Sequence, residues 1–219
     1  MRGVSFAKHK GESIKALCLG AHSDDIEIGC GGTLLHLLKQ GHEVEVWWVV
    51  FSANPERRAE AEKSAALFLS GAIKKQIVVR DFKESFFPYV ASEIKTYFEK
   101  LKRTMNPDLV FTHFRDDLHQ DHRLISELTW NTFRDHLIFE YEIIKYDGDL
   151  ANPNVFVHLS EELCSQKIRY LIENFHTQQS HPWFTEDAFR AILRLRGVQS
   201  NSPSNYAEAF YVRKLIAFG

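Results

Sequence analysis

The sequence predicts an α/β protein built on a mainly parallel sheet with helices on both faces. Three observations carry that expectation. Near-continuous apolar runs such as Val46-Trp47-Trp48-Val49-Val50-Phe51 suit strands buried on both faces, as parallel strands are. Segments with apolar residues at helical spacing lie between those runs. Strands that alternate with helices along a chain pair in parallel through crossovers.

Taken in order, residues 1–13 are polar and read as a loose arm or an edge, and 15–21 as the first strand. A helix is expected from near Gly31 to Lys39, with Gly41 just past its end. Glu43 to Phe51 is the second strand. Asn54 caps a helix with Pro55 in its first position, Ala61, Ala65, Phe68 and Leu69 as its stripe, and Gly71 beyond its end. Ile77-Val78-Val79 is a short strand and Phe86-Phe87-Pro88-Tyr89 an aromatic loop. Val90, Ile94, Tyr97, Phe98 and Leu101 mark an amphipathic helix. Pro107 precedes the strand Asp108–Thr112, and Leu124, Ile125, Leu128 and Phe133 mark the next helix. Ile138–Tyr146 alternates as a strand, and Val155–Val157 is another. Ser160 and Thr185 cap two further helices, ending near Phe175 and before Gly197. After a Ser/Asn/Pro loop over 198–205, Ala209–Val212 reads as the last strand.

A length of 219 residues suits one compact domain, 1–219, with one sizeable core. A net charge of -2 with mixed signs leaves no basic footprint for nucleic acid or anionic lipid. The three cysteines form no C-x-x-C pair. Cys18 and Cys164 sit in apolar patterns, as core thiols do, so no disulfide framework is expected. The longest apolar run, Val46 to Phe51, falls far short of the ~20 residues of a membrane span. MRGVSFAKHKGES lacks the apolar stretch of a signal peptide. The expectation is a soluble, cytoplasmic protein; the sequence carries no signal of oligomeric state.

Chemistry concentrates in two polar clusters at strand ends, where α/β sheets bind ligands. The first is Ala21-His22-Ser23-Asp24-Asp25-Ile26-Glu27-Ile28-Gly29-Cys30-Gly31-Gly32-Thr33-Leu34. The second is His113-Phe114-Arg115-Asp116-Asp117-Leu118-His119-Gln120-Asp121-His122. Adjacent carboxylates repel unless a cation or a shared proton relieves them. His22 and Asp25 form a closely spaced ligand pair, and His122 supplies a third ligand from far along the chain. Three protein ligands leave a coordination position for water, as catalytic zinc requires. Asp24 is then free to act as general base. His119, three residues before His122, falls on the same side if the chain there is helical, where it serves an oxyanion and a leaving group. Asp121 is placed to orient His119 by accepting from its ring. Metal, base and acid together suit hydrolysis of an amide or ester. The competing readings are that Asp24 or Asp25 merely caps the following helix and that the glycines mark only a tight turn. G-C-G-G is not the dinucleotide pattern G-x-G-x-x-G.

His22-Ser23-Asp24-Asp25-Ile26-Glu27-Ile28-Gly29 with Gly31-Gly32-Thr33-Leu34 resembles the H-P-D-D-x-E-x-G-x-G-G-T-L motif of the PIG-L/LmbE-like family of zinc-dependent N-deacetylases. Asp117-x-His119-x-Asp121-His122 resembles the family's D-x-H-x-D-H motif. His176-Thr177-Gln178 and Ala207-Glu208-Ala209-Phe210 are looser matches to its H-x-S-Q and A-E-x-F. Ser23 departs from the family's usual proline.

The resemblance implies a Rossmann-like α/β fold and removal of an acyl group, usually acetyl, from an N-acetylglucosamine-type amine or its conjugate. It implies zinc held by His22, Asp25 and His122, with Asp24 as general base and His119, supported by Asp121, as acid and oxyanion donor. Other divalent ions such as Fe2+ share that donor set. The partner is then a small amino-sugar substrate. Phe86, Phe87, Tyr89 and Trp183 are candidates to stack on sugar rings, and Arg57 and Arg58 to hold a phosphate. The rival reading is a sugar- or nucleotide-binding module of the same fold without turnover.

Overall fold

The structure is a computed structural model that describes residues 13–216. The expected N-terminal arm therefore lies, but for Ser13, outside the described residues. β1 (Ile14–Gly20), β2 (Val44–Val50), β3 (Lys74–Val79), β4 (Leu109–His113), β5 (Leu137–Tyr141), β6 (Val155–Leu159) and β7 (Tyr206–Tyr211) form a seven-stranded sheet. Its order is β3-β2-β1-β4-β5-β7-β6. The first five strands in chain order pair in parallel, and β7 pairs antiparallel with both β5 and β6. The sheet is mainly parallel, as expected, with one reversed strand next to an edge.

Successive residues of a strand face opposite sides, and β1 shows how both sides are covered. Ala16 and Cys18 pack in a core layer with Leu34, Phe68, Leu171 and Phe189. These belong to α1 (Asp25–Lys39), α2 (Pro55–Phe68), α5 (Glu161–Asn174) and α6 (Glu186–Gln199). Leu17 and Leu19 pack on the other side with Phe98 of α3 (Ala91–Thr104) and Ile125 of α4 (Gln120–Thr132). Each such large side chain, fully buried, contributes about 1.5–3 kcal/mol to the fold. All three cysteines are free and buried. Among the described residues no helix is long and apolar enough to cross a membrane.

Local signals place most helix ends. Asn54 accepts from the Arg57 N–H with Pro55 next to it, and Ser160 and Thr185 cap α5 and α6 in the same way. Gly41 follows α1 at φ +77°. Several boundaries differ from expectation, β3 beginning at Lys74 and β6 running to Leu159 among them. β5 stops at Tyr141, and β7 begins earlier, at Tyr206. The larger difference is α1, which begins at Asp25 and so contains Gly29, Gly31 and Gly32. These glycines admit close neighbours instead of making a turn. A Cβ on Gly29 would lie 2.1 Å from the Tyr141 ring, and one on Gly31 would lie 2.6 Å from Phe68.

Adjacent strands β1 and β4 lead into helices on opposite faces, α1 and α4. Their carboxyl ends therefore frame the switch-point crevice at which doubly wound sheets bind ligands.

Candidate active site

Both polar clusters open into this crevice. β1 ends at Gly20 and α1 starts at Asp25, so His22, Ser23 and Asp24 occupy the turn between them. α4 starts at Gln120, which makes His119 its N-cap and puts Asp121 and His122 in its first turn. His22 Nδ1 lies 3.1 Å from His122 Nε2. The Asp25 carboxylate reaches 3.5 Å from each of these nitrogens. His22, Asp24, Asp25, Asp121 and His122 are buried, and His119 is half-buried.

The hydrogen-bond network assigns the tautomers. His122 Nδ1 lies 3.0 Å from Asp117 Oδ2, so it carries the proton and leaves the Nε2 lone pair facing inward. His22 Nε2 lies 3.2 Å from Asp121 Oδ2, which in the neutral ring leaves Nδ1 as a lone pair, whereas the protonated ring would donate from Nδ1 to His122 Nε2. Two imidazole lone pairs and a carboxylate thus converge on one point. Ligand atoms 2.0–2.2 Å from a tetrahedral zinc stand roughly 3.3–3.5 Å apart, so the set fits such an ion. A carboxylate behind each ligating imidazole is the usual outer support of a metal centre.

The charges fit the same picture. Burial opposes ionisation of Asp25, but His122, His113 and His22 around it hold its carboxyl well below the usual range. Burial, reinforced by His113, pushes His122 down to about 3 and keeps it neutral. His22 is raised although burial works against it, because Asp25 and Asp121 favour a positive charge beside it.

Asp24 is the N-cap residue of α1 by position, but its side chain makes no capping bond. Arg57 of α2 takes it instead: Nη2 donates to Asp24 Oδ1 (3.2 Å), Nε to Ser23 Oγ (2.9 Å) and Nη1 to Glu84 Oε2 (2.9 Å). Ser23, where the family pattern has proline, gives the guanidinium a further anchor. Burial raises Asp24 to about 6 against the pull of Arg57. Arg57 is thus committed to the turn, and Arg58 Nη1 donates to the Val79 carbonyl (2.6 Å).

The role expected of the Asp121 side chain is not the one observed. Its carboxylate faces His22 and accepts from the Ser85 and Phe87 N–H groups (2.6 and 3.1 Å), while its own backbone N–H donates to His119 Nδ1 at 3.2 Å. The reason is helical geometry: an N-cap side chain takes a first-turn amide, so the carboxylate is left to turn to the neighbouring loop. His119 then carries its proton on Nε2, with its ring edge-on to His22 (4.9 Å) and stacked on His122 (4.5 Å). Burial, then the nearby His22, lowers its pKa, so it is a neutral donor.

His113 is the site neighbour to which sequence reasoning gave no role. It is fully buried and stacked on His122 at 4.0 Å, and its Nε2 lies 3.3 Å from Asp25 Oδ2. Asp25, His113 and His122 therefore make a second ligand-like grouping, and His22, His119 and His122 a third. The His113 Nε2 lone pair already accepts the Ala21 N–H at 2.9 Å, which favours His22 as the ligand. Its position as the last residue of a buried strand running into the cluster was the available signal. Of the aromatic candidates, Phe87 is core, Phe86 and Tyr89 are exposed, and Trp183 stacks on His181. His176 pairs with Gln179.

The family described as PIG-L: GlcNAc-PI de-N-acetylase matches residues 17–133, a span that holds both clusters and more than half the chain. The chain belongs to this family. Three solved structures share its fold. The conserved protein TT1542 from Thermus thermophilus is 20% identical, with TM-score 0.71 over 94% of this chain and 97% of that one. N,N'-diacetylchitobiose deacetylase from Pyrococcus horikoshii is 23% identical, with TM-score 0.64 over 92% and 84%. GalB, the 4-carboxy-2-hydroxymuconate hydratase of Pseudomonas putida KT2440, is 17% identical, with TM-score 0.74 over 94% and 98%. A deacetylase and a hydratase on one PIG-L-like fold mean that the reaction must be argued from the site.

Proposed function

We propose that this chain is a metal-dependent hydrolase that removes the N-acetyl group from an N-acetylglucosamine-type amino sugar or its conjugate. The observation that carries the reading is the convergence of the His22 and His122 lone pairs with the Asp25 carboxylate, each ring backed by a further carboxylate. Family membership supports deacetylation, and the donor set suits zinc, with Fe2+ sharing it. Three buried free cysteines suit a reducing, cytoplasmic setting.

His22, Asp25 and His122 would hold the ion, which supplies Lewis acidity toward the attacking water and the amide carbonyl. Asp24 accepts the water's proton; with its carboxyl raised to about 6 it is ionised, yet still basic, at neutral pH. Arg57 and Ser23 fix the Asp24 side chain. The neutral His119 donates from Nε2 to the oxygen that gains charge. The proton that Asp24 took from the water passes to the departing nitrogen as the C–N bond breaks, giving free amine and acetate.

The test is acetate release from a panel of N-acetylglucosamine conjugates by zinc-loaded protein, with Asp24→Ala alongside. Acetate from at least one conjugate, abolished in the variant, supports the reading. No acetate from any conjugate, with metal bound, overturns deacetylation of these conjugates, and a wider acyl-amide screen then separates a different acyl donor from the binding module.

A further inference from the structure

Two buried charges outside the catalytic set meet on α1. Lys167 of α5 donates to Glu208 Oε1 of β7 at 2.5 Å and to the Ile28 backbone carbonyl at 2.6 Å. Glu208 accepts from the N–H groups of Gly32 (2.7 Å) and Thr33 (2.6 Å) and from Thr33 Oγ1 (2.6 Å). Ile28 C=O and Gly32 N–H are the i and i+4 partners of one helical rung. The ion pair therefore lies across that rung, in the middle of α1.

Its polarity is that of helix ends. A cation favours the carbonyl terminus of a helix and an anion the N–H terminus. Here both sit in the middle of a continuous helix, Lys167 on the Ile28 carbonyl and Glu208 on the Gly32 and Thr33 N–H groups. The first half carries Asp25 at its start and follows directly on His22 and Asp24.

Ile26, Ile28 and Cys30 anchor that half in the core layer, and Asp25 accepts the His22 N–H at 2.6 Å. Side-chain ridges seated in grooves hold a helix against sliding, but its glycines present smooth faces, Gly29 to the Tyr141 ring and Gly31 to Phe68. A Cβ on Gly32 would lie 2.8 Å from Glu208 Oε1, so glycine is also what lets the carboxylate reach the backbone.

We propose that the Lys167–Glu208 pair is a positioning device: it sets the height of the first turn of α1 and so holds Asp25 opposite His122. This deepens the metal reading given above and rests on it.

Zinc affinity of the intact protein, by competition with a chromophoric chelator, tests the idea together with thermal midpoints. The variants are Glu208→Gln, which breaks the pair, and Thr33→Val, which removes one hydrogen bond to Glu208 and keeps side-chain size. Leu101→Ala, in the core layer on the opposite face of the sheet, is the stability control. Glu208→Gln is expected to weaken zinc binding about 10-fold, the scale of a lost outer support. Thr33→Val should weaken it less, and Leu101→Ala should lower the midpoint while keeping wild-type affinity. If Glu208→Gln does not fold, Thr33→Val decides alone. Wild-type affinity in the folded pair variants overturns the proposal, as does an equal loss in Leu101→Ala. A wild-type protein that binds no zinc overturns the metal reading with it.

Discussion

Nδ1 of His22 and Nε2 of His122 face each other at 3.1 Å, and the far nitrogen of each ring is held by a carboxylate, Asp121 for His22 and Asp117 for His122. Two lone pairs so held repel unless a cation or a shared proton lies between them. Removing either backing carboxylate frees the ring to turn or to change tautomer. Asp117→Asn and Asp121→Asn should each weaken zinc affinity by about 10- to 100-fold. Chelator competition measures this; unchanged affinity would mean that other contacts orient the rings.

Asp24 makes no capping bond and touches Arg57 rather than the cluster's centre. Its loss should therefore spare metal binding and act on turnover. Asp24→Asn is expected to lower kcat by about 10²- to 10⁴-fold, the usual contribution of a general base, with one metal still bound per chain. Steady-state kinetics paired with metal analysis of the same preparation checks both halves.

The acid limb of the rate profile should follow Asp24, since it works as the carboxylate and the rate falls as pH drops through its pKa. Burial raises that pKa and Arg57 lowers it. Arg57→Gln removes the lowering influence, so the limb should move to higher pH. A pH profile of kcat/KM for both proteins is the measurement, and a limb moved to lower pH would contradict the assignment.

Gly29→Ala should destabilise the protein. Alanine gains about 1 kcal/mol of helix propensity over glycine, but its Cβ would lie 2.1 Å from a Tyr141 ring that is buried and tied by its hydroxyl to the Leu19 carbonyl. Overpacking of that kind costs about 1–3 kcal/mol and can cost more. A thermal midpoint at or above wild type would show that the ring moves aside.

Much of this was legible in the chain. His22, Asp24, Asp25, His119, Asp121 and His122 come together because each cluster follows a buried strand, and β1 and β4 lie side by side in the sheet. What escaped was set by tertiary packing. The sequence starts the helix only near Gly31 and leaves a tight turn as a competing reading of the glycines, because only the arrival of Tyr141, Phe68 and Glu208 explains glycine inside a helix. The true direction of the Asp121 carboxylate depends on the loop at Ser85, from a distant part of the sequence. The sequence offers Arg57 as a phosphate-binding candidate, and its commitment to Ser23 and Asp24 appears only once α2 is packed beside α1.

The central claim is that one divalent ion sits among His22, Asp25 and His122. Crystals grown with zinc, measured on both sides of its absorption edge, test it most directly. The account predicts one anomalous peak per chain, within about 2.0–2.2 Å of His22 Nδ1, His122 Nε2 and an Asp25 carboxylate oxygen. A peak shared by Asp25, His113 and His122 and away from His22, or no peak in the crevice, would contradict it.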